Sequence, residues 1–226
     1  LTSTALLAAS LWRPETSTVT KLLTLACLGT LATLVGLMLW KRRAGRVLVV
    51  GVPLGLGLFL TMPGRATDAA ALRSAYLDEL RRFDGTEYVW GGETGRGIDC
   101  SGLVRVSLLR ATAGQALARL DPALARRALE LWWFDASARA LGEGYRGWTE
   151  PVLESERLLD VDATRLQPGD LAVTRDGLHV LAYLGDEAWI QADPAQMRTH
   201  IDRLAPELGG WFLRPVRIVR WSMLRG

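Results

Sequence analysis

The sequence predicts an α+β domain carried behind a two-helix transmembrane hairpin. Three observations lead there. Two uncharged apolar runs flank a basic cluster near the N-terminus. Apolar residues then recur at helical spacing through residues 68–142. From residue 171 on they fall in short alternating runs separated by turn signals. Helices first and an antiparallel sheet last is the α+β order.

The hairpin comes first in the chain. Leu22 to Trp40 carries no charge and, at ~1.5 Å per residue, spans roughly 28 Å as a helix, close to a hydrocarbon core. Lys41, Arg42, Arg43 and Arg46 follow, and Val47 to Met62 is a second, shorter uncharged run containing Pro53. The expectation is two crossings, 22–40 and 47–62, within a hairpin at 21–63. The competing reading is one crossing plus a buried or re-entrant segment. Four positive charges in the short loop 41–46 place it on the cytoplasmic side. Residues 1–20 then form an extracytoplasmic tail, and everything from residue 64 lies outside the cytoplasm. A cleaved signal peptide fits less well, because no clear small-x-small site precedes residue 67. Cys27 is expected to face lipid or to pack within the hairpin.

Next come the helices of the domain, expected to fill residues 64–226. Thr67 or Asp68 can cap a helix whose apolar face is Leu72, Tyr76, Leu80 and Phe83, and Asp84-Gly85 stops it. A glycine-rich loop, Gly91 to Gly97, leads to Asp99-Cys100-Ser101-Gly102 and the periodic run Leu103, Val104, Val106, Leu108. Residues 114–142 read as helical again, with Asp121-Pro122 as N-cap and first position. Trp132-Trp133-Phe134 cannot share one helical face; core packing is the first reading and a substrate-facing wall the second. The period changes at Leu171–Thr174, Leu178–Leu184, Ala188–Gln191 and Trp211–Trp221, which read as strands turning at Asp176-Gly177 and Gly185-Asp186.

Charge and cysteine usage narrow the function. The formal net charge is +3. Residues 1–63 carry six basic residues against Glu15, whereas the remainder holds 21 basic and 23 acidic residues and no lysine. The basicity therefore belongs to the hairpin, and no basic stripe suits a nucleic-acid backbone. The two cysteines are not expected to pair, since Cys27 lies inside an apolar run. Two cysteines and two histidines are too few for a structural zinc site, and no metal or cofactor is expected.

Cys100 sits at a helix N-terminus, where open N–H groups and the helix dipole favour a thiolate. Its bland alternative is a small buried hydrophobe. A nucleophilic cysteine needs an imidazole and a group to hold that imidazole. His179 starts an expected strand, and Gln191 on the next strand can pair across from it and accept its ring N–H. His200 lies in a polar stretch and reads as a surface residue.

Tyr88-x-Trp90-Gly91-Gly92, Asp99-Cys100-Ser101-Gly102-Leu103, Pro168-Gly169-Asp170-Leu171 and His179-Val180 with Tyr183-Leu184-Gly185 resemble, in that order, the NlpC/P60 family of papain-like cell-wall peptidases. The resemblance covers roughly residues 68–221. It implies a papain-like α+β fold, Cys100 as nucleophile, His179 as base and Gln191 as the third polar residue. By the same resemblance Tyr88 supports the oxyanion, while Asp99, Ser101 and Trp90 belong to the substrate-binding set. The implied substrate is a peptidoglycan stem peptide, cut at the γ-D-glutamyl to diamino acid bond. The implied location is the bacterial inner membrane with the catalytic domain periplasmic. The spacing from Cys100 to Gly169 is longer than the family usually shows, which predicts a helical insert at about 111–160. Competing functions are an amidase or acyltransferase on a lipid or protein, and a non-catalytic wall-binding module. No protein regulator can be named from the residues.

Overall fold

In the computed structural model, which describes residues 17–225, two apolar helices precede an α+β body. Helix α1 (Thr18–Leu39) is capped by Ser17 in a reciprocal box with Thr20, and α2 (Arg43–Thr61) runs back beside it. Both are long and apolar enough to cross a membrane, and few of their residues are buried. The connection is shorter than the expected loop 41–46, because Arg43 and Arg46 already lie in α2. Gly45 makes that tight turn possible: a Cβ there would run into the Leu39 carbonyl. Of the expected tail, residues 1–16 fall outside the described residues, and Thr18 to Thr20 belong to α1.

The body is built on one six-stranded antiparallel sheet. Its strands are β3 (Thr149–Ser155), β4 (Leu171–Thr174), β5 (Val180–Gly185), β6 (Ala188–Asp193), β7 (Arg198–Arg203) and β8 (Val216–Trp221), in spatial order β3-β8-β4-β5-β6-β7. A two-stranded ribbon, β1 (Glu93–Thr94) with β2 (Gly97–Ile98), closes the glycine loop. Alternate residues of β5 feed two cores. Val180, Ala182 and Leu184 pack with α3 (Ala69–Arg81) and α4 (Cys100–Arg119). Leu181 and Tyr183 join a second core with Leu158, Trp189 and Phe212.

Polar clamps hold the sheet's middle. Asp170, 1% exposed, accepts from Nε and Nη2 of Arg220 at 2.7 and 2.8 Å. The buried Trp221 indole N–H donates to the Tyr76 hydroxyl at 3.1 Å, tying β8 to α3.

The insert differs from the expectation of an all-helical segment. Residues 111–119 continue α4 without a break. Helices α5 (Pro122–Trp133) and α6 (Ala138–Gly142) follow, and 149–155 form edge strand β3. Strand β3 carries no alternating apolar signal, and its pairing with β8 decides its state. Strand β7, equally polar, is decided in the same way by its pairing with β6. The expected strand 211–221 begins only at Val216, after a 3₁₀ turn over Gly210–Leu213.

Candidate active site

The site forms where the start of α4 meets the start of β5. Asp99 is the N-cap of α4, and its carboxylate is fully engaged. Oδ1 accepts from the Gly102 N–H at 2.6 Å and the Ser101 hydroxyl at 3.0 Å, and Oδ2 accepts from the Gly91 N–H at 2.9 Å. One side chain thus staples the glycine loop to the helix N-terminus. Gly102 allows the loop this close, since a Cβ there would strike the Gly92 carbonyl oxygen. Asp99 and Ser101, expected to shape a substrate pocket, spend their polar atoms on each other and on this cap.

Cys100 is 7% exposed. Its sulfur is met by the backbone N–H groups of Val180, Ser101 and Cys100 itself. Those donors favour the thiolate, as expected for a helix N-terminus. Burial and the neighbouring Asp99 carboxylate outweigh them and push the thiol up to about 12. The balance at Cys100 thus favours the thiol, where the helix N-terminus alone had led to the expectation of a thiolate.

His179 lies one residue before β5 and is 1% exposed. Its Nε2 and Gln191 Oε1 are 2.9 Å apart. The Gln191 amide nitrogen donates to Asp202 Oδ2 at 2.9 Å, which fixes the amide so that its oxygen faces the ring. His179 Nε2 is then the donor, leaving Nδ1 as the basic nitrogen. Burial lowers the imidazole to about 4, against the raising effects of Gln191 and Asp193. The pairing differs from the expected one. The register Ala182↔Ile190 and Tyr183↔Trp189 sets Gln191 diagonal to His179, and the long amide bridges the offset.

Two further features of this side are visible only in the fold. The Trp211 ring stacks on the imidazole with centroids 4.2 Å apart and planes at 18°. Its indole N–H donates to Asp193 Oδ1 at 3.1 Å. His200, expected on the surface, is largely buried, and its Nε2 lies 2.9 Å from Asp202 Oδ2. Asp202 and Trp211 give no signal in the sequence because they reach the site through β7 and a 3₁₀ turn that have no periodic pattern.

Tyr88 is buried, and Cys100 is among the neighbours that raise its phenol, after burial itself. Trp90 on the glycine loop is 80% exposed. Arg105, 2% exposed and one turn into α4, pairs with Glu93 of the glycine loop and lies 3.5 Å from Asp135. Asp135 in turn holds Lys21 of α1. A line of charges therefore joins the first apolar helix to the loop in front of Cys100. Among the described residues, no group of three or more His, Cys, Asp or Glu side chains is placed to hold a metal ion.

The family model described as the NlpC/P60 family matches residues 85–208, which include Tyr88, Cys100, His179 and Gln191. The chain belongs to the NlpC/P60 family. It is also 26% identical over 159 residues to the probable endopeptidase NlpC of Escherichia coli, covering 67% of this chain and 83% of that protein. Among solved structures it is similar to the peptidoglycan hydrolase RipB of Mycobacterium tuberculosis, at 20% identity and a TM-score of 0.42, covering 90% of this chain and 89% of that one. An NlpC/P60 family protein of Bacillus cereus matches at 20% identity and a TM-score of 0.43, over 70% of this chain and 41% of that longer chain. NlpC/P60 proteins are cysteine peptidases and peptidoglycan hydrolases, and this chain is an enzyme of that kind. Trp211 lies beyond the matched segment, so its stack on His179 is legible only in the fold.

Proposed function

We propose that this chain is a membrane-anchored cysteine peptidase that hydrolyses amide bonds of peptidoglycan stem peptides, with the γ-D-glutamyl to diamino acid bond as its target. The observation that carries the reading is the meeting of Cys100, at the first turn of α4, with Val180, the residue after a His179 already oriented by Gln191. Membership of a family of peptidoglycan hydrolases, and a relative named as a probable endopeptidase, support the substrate class.

The neutral resting pair sets the order of events. His179 Nδ1 takes the thiol proton as Cys100 Sγ adds to the amide carbonyl. The oxyanion is met by the Cys100 backbone N–H, with the Tyr88 hydroxyl beside it. The protonated imidazole, held through Nε2 by Gln191, returns its proton to the departing amine. Water then attacks the acyl-enzyme, with His179 as base again. Trp90, exposed on the loop ahead of the nucleophile, offers a face for the substrate. The apolar hairpin keeps the domain at the membrane, and the basic residues 41–46 hold its turn in the cytoplasm.

The test is digestion of purified sacculi with mass analysis of the released fragments. The wild-type chain releases stem-peptide pieces cut at the γ-D-glutamyl bond, and Cys100→Ala releases none. Equal release by both proteins overturns the proposal. Products from lipid extracts and none from sacculi would reassign the same site to a lipid acyl substrate.

A further inference from the structure

The insert helices and the domain-side ends of the apolar hairpin enclose a groove of about 630 Å³. This is within the range of sites that hold small ligands, roughly 300–1,000 Å³. One wall is hairpin: Leu25 of α1 with Leu56, Phe59 and Leu60 of α2. The opposite wall is Ala113 and Leu117 of α4 with Leu129 and Trp132 of α5. Leu117 is 77% exposed and Leu129 50% exposed, so the body leaves an apolar face open beside the hairpin. Contiguous exposed apolar surface of this kind marks an interaction site.

Polar contacts mark the height of this groove. Lys21 is held by Asp135, and the Arg126 guanidinium donates to the carbonyls of Leu60 and Met62 at 2.6 and 2.8 Å, closing the end of α2. These charges stand at the domain-side end of the hairpin. Leu25 lies about 6 Å deeper along α1 than Lys21, at ~1.5 Å per residue. On the α1 side the groove therefore begins below the charged rim, and on the α2 side it runs from Leu60 at the rim down to Leu56, alongside the apolar helices. A soluble partner would have to reach beneath that rim, whereas an acyl chain already lies there.

We propose that this groove takes an acyl chain of an outer-leaflet phospholipid, so that the end of α4 and one face of α5 are immersed in the bilayer surface. The inference rests on the membrane-anchored reading of the hairpin. The insert then fixes the height and tilt of the catalytic body above the membrane. The charged line Lys21, Asp135, Arg105 and Glu93 carries that placement to the glycine loop.

The full chain is reconstituted in nanodiscs of phosphatidylethanolamine and phosphatidylglycerol doped with a phospholipid bearing a diazirine in mid-chain. After illumination, labelled peptides are mapped by mass spectrometry. The expected labels fall on both spans and on residues 109–132. Ala113→Trp fills the groove from an exposed position. It is expected to cut labelling of 109–132 several-fold and leave span labelling unchanged. Leu117→Asp, also exposed, is expected to do the same, and circular dichroism reports whether each variant is folded. Labels on the spans alone would overturn the groove and keep the anchor. Labels on neither would overturn the anchor and the groove with it. Labelling of 109–132 that both folded variants leave unchanged would reduce the contact to surface adsorption and overturn the inference. An insert shielded from lipid and cross-linked to a second copy would overturn it in favour of a dimer.

Discussion

The two sides of the candidate active site are built in different ways. On the sheet side, side chains hold side chains: His179 is fixed by Gln191, Gln191 by Asp202, and the imidazole face by Trp211. On the helix side, backbone does the holding. Cys100 faces N–H groups of Val180, Ser101 and itself, and Asp99 pins the loop and helix through further N–H groups. The difference teaches which side tolerates substitution. A site made from side-chain links fails one residue at a time in catalysis. A site made from backbone fails first in stability, through the cap and the glycines that shape it.

The largest expected effect is on the sheet side. On the proposed mechanism His179→Ala removes the proton carrier, and it is expected to lower kcat/KM for stem-peptide cleavage roughly 10³-fold. A variant that keeps more than a tenth of the activity would show that another group moves the proton.

The second effect is on stability with pH. His179 is buried neutral, with its folded value at about 4 against an ordinary 6.5. Its contribution is complete above the unfolded value and is lost as pH falls from 6.5 through 4. The loss amounts to about 3 kcal/mol. Denaturant titrations at pH 7 and pH 4 measure it, and His179→Gln is expected to flatten the difference.

Gln191→Leu comes third. It frees the imidazole tautomer and leaves Asp202 with His200 as its partner, and a drop of roughly 10²-fold in kcat is expected with KM little altered. Gln191→Asn, too short for the diagonal, should recover only part of it. A pH–rate profile separates this positioning role from a structural one, because the acid limb moves only if the imidazole is the group disturbed.

Trp211→Ala removes the stack on His179 and is expected to cost about tenfold in kcat. Trp211→Phe keeps the stack and loses the bond to Asp193, so it should lie between the two.

The smallest effect tests the helix side. Asp99→Ala removes the cap of α4 and is expected to cost about 1 kcal/mol of stability. Because Asp99 raises the Cys100 thiol, its loss should also move the alkylation profile of Cys100 to lower pH. An unchanged melting temperature with abolished activity would reverse the comparison and make Asp99 a substrate-binding group.

Much of this architecture follows from local chemistry. The apolar runs became α1 and α2, Asp68 and Asp121 became N-caps, and the strands expected at 171–174 and 178–184 became β4 and, starting two residues later, β5. Strands β3 and β7 are illegible in the sequence, because Thr149–Ser155 and Arg198–Arg203 are polar and take strand form only by pairing with β8 and β6. His200 is deceptive for the same reason. A polar residue looks like surface until pairing with β6 sets Gln191 opposite it and strand geometry puts Asp202 on the same face.

The sequence by itself determined what is set by nearest neighbours: the two apolar helices, caps, glycine turns and the ordered Tyr88, Cys100 and His179 motifs. Their periodicity, charge and steric demands act within a few residues along the chain. Tertiary structure alone decided that burial and Asp99 raise the Cys100 thiol, that Gln191 reaches His179 diagonally, and that Trp211 covers the imidazole. It also decided that the insert faces the hairpin across an apolar groove. Burial, strand register and the meeting of distant helices depend on which segments close on one another, and no local pattern encodes that distance.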